Sequence, residues 1–360
     1  MKRFTIFVLL ATLAGCGGDK ETANAPDVTE GQTLPVFTLA TSEYPSWSTF
    51  VVAGNAGIVN PKAGGEYGPL EKKWGVDVVI EAKDYDACLT LIANGAVDAA
   101  CITNIDSLNP SMGRACTAIC PTSTSAGADK VISVSAKKAE ELKGVKVYGL
   151  AKSVSEYTFV RGLEKQNLNP AEFEFVNLDP APASTALQTG SNDVKAICVW
   201  NPFALQTLRT TKNATDVFNS SLITGEVVDQ IVMGNDALAK EGGENFAACL
   251  CDIFYQVCDK LWSDDQSVQD ATRTALKEDF APDLSLEDMK VILDETKFYR
   301  TSQDGISLYG GEPFKATMDT VVKTCQSIGV LEQGQQPTIG YDSNAQLNFT
   351  TKYMEKAVSK

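Results

Sequence analysis

The sequence predicts an α/β protein made of two doubly wound units, and three observations carry that expectation. Strand-like and helix-like segments alternate in two successive rounds between about residues 35 and 225. With 360 residues, 44% of them hydrophobic, the chain has enough apolar material for two cores. Beyond about residue 225 the texture changes to longer helical stretches.

The first round opens with the apolar run 35–40, which ends in a turn at Thr41-Ser42-Glu43. Residues 47–57 have helical apolar spacing and stop at Gly57, and 70–75 read as a helix end before a strand at 76–80. Asp84 or Asp86 is placed to cap the next helix, which carries Leu89, Ile92 and Ala93 and ends at Asn94-Gly95. Residues 97–102 return as a strand. This βαβ order implies a parallel sheet with ligand chemistry at the C-terminal ends of its strands. The second round begins near Ala128 and reads as a short helix 137–142, a strand 145–150 and a helix 153–166. A strand 173–177, a helix 183–189, a buried strand 196–199 and a helix 202–209 follow. Residues 245–262, 265–276, 286–295 and 313–328 are the later helices.

Composition excludes several functions. The 31 basic against 46 acidic residues give a net charge of −15, the wrong sign for a nucleic-acid surface. There is no histidine, so every mechanism that needs an imidazole falls, and no catalytic residue is assigned. Lys2 and Arg3 precede a short apolar stretch, 4–13, that is too short to span a bilayer and reads as a signal segment. Its end, Leu13-Ala14-Gly15-Cys16, resembles a bacterial lipobox, which implies cleavage of 1–15 and a lipid on Cys16. A plain secretory signal or a short membrane anchor is the alternative. Cleavage leaves 29 basic against 46 acidic residues, a net −17, and 17–34 read as a flexible tether. Nine cysteines follow Cys16, an odd number. Cys88, Cys101 and Cys198 read as buried thiols, while Cys116 and Cys120 are candidates for a disulfide. Cys249, Cys251 and Cys258 lack a fourth ligand of suitable spacing, so no metal site is expected.

Residues 67–108, YGPLEKKWGVDVVIEAKDYDACLTLIANGAVDAACITNIDSL, and the later Val199-Trp200-Asn201-Pro202-Phe203 carry a resemblance. They are similar to the substrate-binding proteins of ABC importers, in the group for taurine, alkanesulfonates, nitrate and thiamine-pyrimidine precursors. The resemblance covers about residues 35–235; the C-terminal third fits by helix content only, and the hydroxyl-rich PTSTSAGA at 121–128 departs from the pattern. It implies a bilobal periplasmic-binding-protein type II fold, two doubly wound α/β lobes around a ligand cleft. Lobe I would be 35–125 plus 226–360 and lobe II 126–225, with hinges near 123–128 and 224–229. It further implies an exported, lipid-anchored monomer at the periplasmic or outer cell-membrane face. Such a protein passes a small molecule to an ABC permease and its ATPase, without a cofactor. Enzymes resembling this group make a thiamine pyrimidine with a histidine and a cysteine-rich iron motif, and this chain has neither. A ligand-sensing receptor for a membrane signalling partner is the alternative function.

Candidate ligand contacts follow from the strand ends. Ser42, Tyr44 and Trp47 sit where the first strand gives way to a helix, offering backbone N–H groups and flat apolar walls, although Trp47 could equally pack in the core. Asn104 and Asp106 follow the strand at 97–102, where capping the next turn is the alternative. Ser123, Thr124 and Ser125 lie at the first crossing, and Asp229 lies at the return crossing. Ser153 and Ser155 open a helix and are the oxyanion candidates of the second lobe, with Ser153 and Glu156 able to form a capping box. Trp200 and Asn201 follow the strand at 196–199. No arginine falls in these loops and Lys152 is the only nearby cation, whereas Glu43, Asp106 and Asp229 are acidic. That balance points to a zwitterion, an amine or an uncharged heterocycle: taurine-like zwitterions satisfy both observations, and a pyrimidine between aromatics fits nearly as well.

Overall fold

In the computed structural model, which describes residues 32–358, the apolar run after Pro35 forms strand β1 (Val36–Thr41). Cys16, the signal segment and all but the last residues of the 17–34 stretch lie outside the described residues. Strand β1 pairs in parallel with β2 (Asp77–Ala82) and β3 (Ala99–Thr103), joined by helices including Tyr85–Asn94. That helix ends where the sequence suggests, because Gly95 takes a left-handed φ of 76°. Asp84 occupies its N-cap position without a side-chain capping bond.

The chain then runs through β4 (Cys116–Ser125) into a second sheet. This is formed by β5 (Asp129–Ser133), β6 (Lys146–Gly149), β7 (Glu174–Asn177), β8 (Ala196–Trp200) and β9 (Thr215–Asn219). Strand β10 (Val228–Gly234) returns to the first sheet, which β11 (Thr296–Phe298), β12 (Ile339–Tyr341) and β13 (Leu347–Phe349) complete. Among the described residues the first sheet has eight strands in the order β12-β13-β4-β10-β3-β1-β2, with β11 against β4. The second has five, ordered β7-β6-β8-β5-β9.

The α/β class and the two sheets match expectation, but neither sheet is wholly parallel. Strand β10 is antiparallel to β3 and β4, and β5 is antiparallel to β8 and β9. Both strands arrive directly from the other sheet, with no crossover helix to reverse their direction. Alternate residues of the second sheet serve two separate cores. Val131 and Cys198 pack with Phe159 on one face, and Ile132 and Ile197 pack with Ala183 and Leu187 on the other. The long helix Gly243–Leu261 packs beneath the first sheet and buries Phe246, Leu250, Ile253, Phe254 and Val257.

The proposed Cys116–Cys120 disulfide is overturned. Four residues along a strand separate the two Cα atoms by about 13 Å, whereas a bridge needs less than about 7 Å. All nine described cysteines are free and buried.

Candidate ligand-binding site

The strand ends of both sheets converge on one small cavity. Tyr44 and Trp47 follow β1, Tyr85 opens the helix after β2, and Thr103 ends β3. Val227 and Asp229 belong to the return crossing. From the second sheet come Asp129 at the start of β5, Trp200 at the end of β8, and Val154, the first residue of the helix Val154–Lys165. The rings nearly fill the cavity, leaving room for water over only about 10 Å³ in this arrangement, so an occupant larger than a water has to part the walls. The rings close on one another: Trp47 stacks on Tyr85 at 5.5 Å and 8°, and Tyr44 tilts against Trp47 at 4.9 Å. Tyr85 meets Trp200 edge-on at 5.4 Å, an aromatic contact across the two sheets.

Three buried carboxylates surround this aromatic cluster. Asp229 accepts a 2.5 Å hydrogen bond from Ser123 Oγ, and burial together with the nearby charge of Asp129 holds its carboxyl well above the usual range. Burial likewise pushes Asp129 up to about 6, against the opposing effects of Ser125 and Lys130. Asp106 is pushed up to about 6 by burial, although its Oδ2 accepts bonds from Tyr85 Oη at 2.7 Å, Thr103 Oγ1 at 3.1 Å and Val154 N at 3.2 Å. The Lys130 ammonium bonds to Glu295 and the carbonyl of Gly127 and pairs with Asp216. No described lysine or arginine forms an ion pair with any of the three carboxylates. Trp47 Nε1 and Asp106 Oδ1 are buried and make no hydrogen bond within the protein, while Tyr44 Oη lies beside Asp229 and Thr296. Among the described residues no group of three or more His, Cys, Asp or Glu side chains is arranged to hold a metal ion.

Tyr44, Trp47, Trp200 and Asp229 therefore line the cavity, as the sequence suggests, and Trp47 also belongs to the core. Asp106 stands behind it, bonded to the lining residues Tyr85 and Thr103. Several other candidates are taken up by structural bonds. Asn104 spans the return crossing, donating to Glu226 O and accepting from Val228 N. Asn201 bonds to Glu295 and to the amide of Leu205. Thr124 bonds to Val227 O, Ser125 to Ser220, and Ser123 to Ser46 and Asp229. Ser153 caps its helix by accepting from Ser155 N, but no capping box forms, because Glu156 accepts from Lys152 N instead. Ser155 Oγ is buried without a partner. Sequence reasoning missed Tyr85, Thr103, Asp129, Val154 and Val227. For Tyr85 the signal was available, since it follows a strand and opens a helix just as Tyr44 and Trp47 do.

Outside the cavity lies a wider cleft with room for water over about 600 Å³. Ser42 lines this outer space, together with Glu43, Asp84, Asp86 and Asp179, and with Lys83 as its one basic residue. Lys83 is itself paired with Glu81 at 3.1 Å.

No protein-family model and no curated protein sequence matches the chain. Solved structures do. The periplasmic aliphatic sulphonate-binding protein SsuA of Escherichia coli aligns at 16% identity over 83% of this chain and 94% of that one, with a TM-score of 0.63. The alkanesulfonate-binding SsuA of Xanthomonas axonopodis pv. citri, bound to MOPS, aligns at 16% over 83% and 95%, also at 0.63. The periplasmic nitrate-binding protein NrtA of Synechocystis PCC 6803 aligns at 13% over 82% and 89%, at 0.54. Likeness at such identity is likeness of architecture: the chain has the bilobal fold of the periplasmic binding proteins, and sulfonate- and nitrate-binding proteins are among its structural neighbours.

Proposed function

We propose that this chain is the solute-binding lipoprotein of an ABC importer, exported and held at the membrane through a lipid on Cys16. Residues 35–125 and 226–360 form one lobe and 126–225 the other, and their closure captures a small polar or zwitterionic molecule. Taurine-like, sulfonate-like and pyrimidine-like solutes are the starting candidates, and the loaded monomer delivers its cargo to a permease and its ATPase. One observation carries the reading: the cavity is walled jointly by strand ends of the two sheets, with Tyr44, Trp47 and Tyr85 facing Trp200, so its occupant touches both at once. Such double contact shifts the population toward the closed form without any acid or base chemistry.

Trp200 supplies the aromatic wall from the second sheet, so its removal is the direct test. Trp200→Ala is expected to weaken binding at least about tenfold, the loss of one aromatic contact. The check is calorimetry on wild type and variant with taurine, ethanesulfonate, nitrate, 4-aminopyrimidine and tetramethylammonium, and circular dichroism to confirm the fold. Unchanged affinity for every solute that wild type binds would remove Trp200 from the site.

A further inference from the structure

Resting on the solute-binding reading above, we propose that the cavity takes a small organic cation. Its ammonium group is held against the carboxylates of Asp129 and Asp229 and over the aromatic faces of Tyr44, Trp47, Tyr85 and Trp200. Four independent features converge on this class.

The lining combines four aromatic rings and two carboxylates with no lysine or arginine. A free sulfonate or nitrate would bring a further negative charge beside buried carboxylates, with no guanidinium or ammonium to receive it. An ammonium ion instead offsets the burial of those carboxylates and gains from the ring faces.

The place where an oxyanion would sit is already filled by the protein. The N-terminus of Val154–Lys165 is the natural anion site of the second sheet. Asp106, from the loop after β3, accepts the Val154 amide there at 3.2 Å. The chain's own carboxylate thus occupies the position that a bound sulfonate would need.

The carboxylates are also dispersed. Among the described residues they do not gather into the ligand set that a bare divalent ion requires. Tyr44 Oη, buried in the lining beside Asp229, provides a polar contact. Finally, the outer cleft carries Glu43, Asp84, Asp86 and Asp179 against one lysine, a field that concentrates cations at the mouth.

The test is calorimetric titration of the full-length chain at pH 8 with tetramethylammonium, butylammonium, choline, the neutral choline isostere 3,3-dimethylbutan-1-ol, taurine and ethanesulfonate. At least one ammonium compound is expected to bind. The neutral isostere should bind at least about tenfold more weakly than choline, a difference of about 1.4 kcal/mol. Asp129→Asn should lose a similar factor for the ammonium probes while remaining folded. Binding of taurine or ethanesulfonate without any ammonium compound overturns the cation assignment and leaves the solute-binding reading standing. Equal affinity for choline and its neutral isostere overturns it as well. Silence from all ammonium probes also overturns it, and if a wider library of uncharged and anionic solutes is silent too, the solute-binding reading falls with it.

Discussion

Asp129→Asn is expected to raise the stability of the ligand-free protein at pH 7 by about 1–3 kcal/mol, while weakening its hold on an organic cation at least about tenfold. The two signs are opposite because the carboxylate is costly until a cation arrives. Asp129 is buried at the start of β5, its pKa is pushed up to about 6, and no described lysine or arginine pairs with it. Ionised at pH 7, it resists closure of the empty site, and asparagine keeps the shape without the charge. If the ligand-free lobes open enough to hydrate Asp129, the gain appears as a shift of the variant toward the closed form. Urea unfolding and titration with tetramethylammonium check both halves. A purely structural role for Asp129 predicts the reverse sign for stability, a loss in the variant.

The second large effect is on pH dependence. Asp106 and Asp129 both carry folded-state pKa values of about 6, against about 3.9 for an unfolded aspartate. A raised pKa means that between about pH 4 and pH 6 the folded state binds protons that the unfolded state lacks. Stability associated with each group is fully present below about pH 4 and is lost as pH rises through 6, by about 3 kcal/mol per group. The groups facing Asp106 are Tyr85, Thr103 and the Val154 amide; those acting on Asp129 are Ser125, Lys130, Asp106 and Asp229. Asp229, facing Ser123 and Tyr44, extends the loss to higher pH because its carboxyl is held further up. The unfolding free energy of wild type minus that of an Asp106→Asn/Asp129→Asn double variant should therefore fall steadily from pH 4 to pH 7. The expected total is of the order of 6 kcal/mol if both groups stay buried. A flat difference across that range would show that neither carboxylate is desolvated in the ligand-free protein.

Much of the frame was legible because its signals are local. Strands β1 to β3 are short apolar runs bounded by turn residues, and Gly95 marks the end of the helix between β2 and β3. Tyr44, Trp47, Trp200 and Asp229 were reachable from the rule that strand C-termini and inter-sheet crossings line the cleft. Strand β4 was not legible. Its second half, Pro121-Thr122-Ser123-Thr124-Ser125, reads as a polar hinge, yet it lies buried between β10 and β11, where each hydroxyl finds a partner in another element or in the backbone. Central strands buried on both faces lack the alternation that reveals edge strands. Asn104 and Asn201 look like ligand contacts by position, but each is spent on bonds to segments distant in sequence. The docking of Asp106 onto the helix at Val154 is likewise a tertiary event, joining residues 48 apart with no mark in either segment alone.

The central claim is that a solute is captured by closing two lobes around Tyr44, Trp47, Tyr85, Asp129, Trp200 and Asp229. Small-angle X-ray scattering of the full-length chain, with and without a saturating ammonium compound shown by calorimetry to bind, tests it most directly. The account predicts a radius of gyration that is smaller with the compound bound than without it. Identical scattering curves with and without the bound compound would contradict capture by closure.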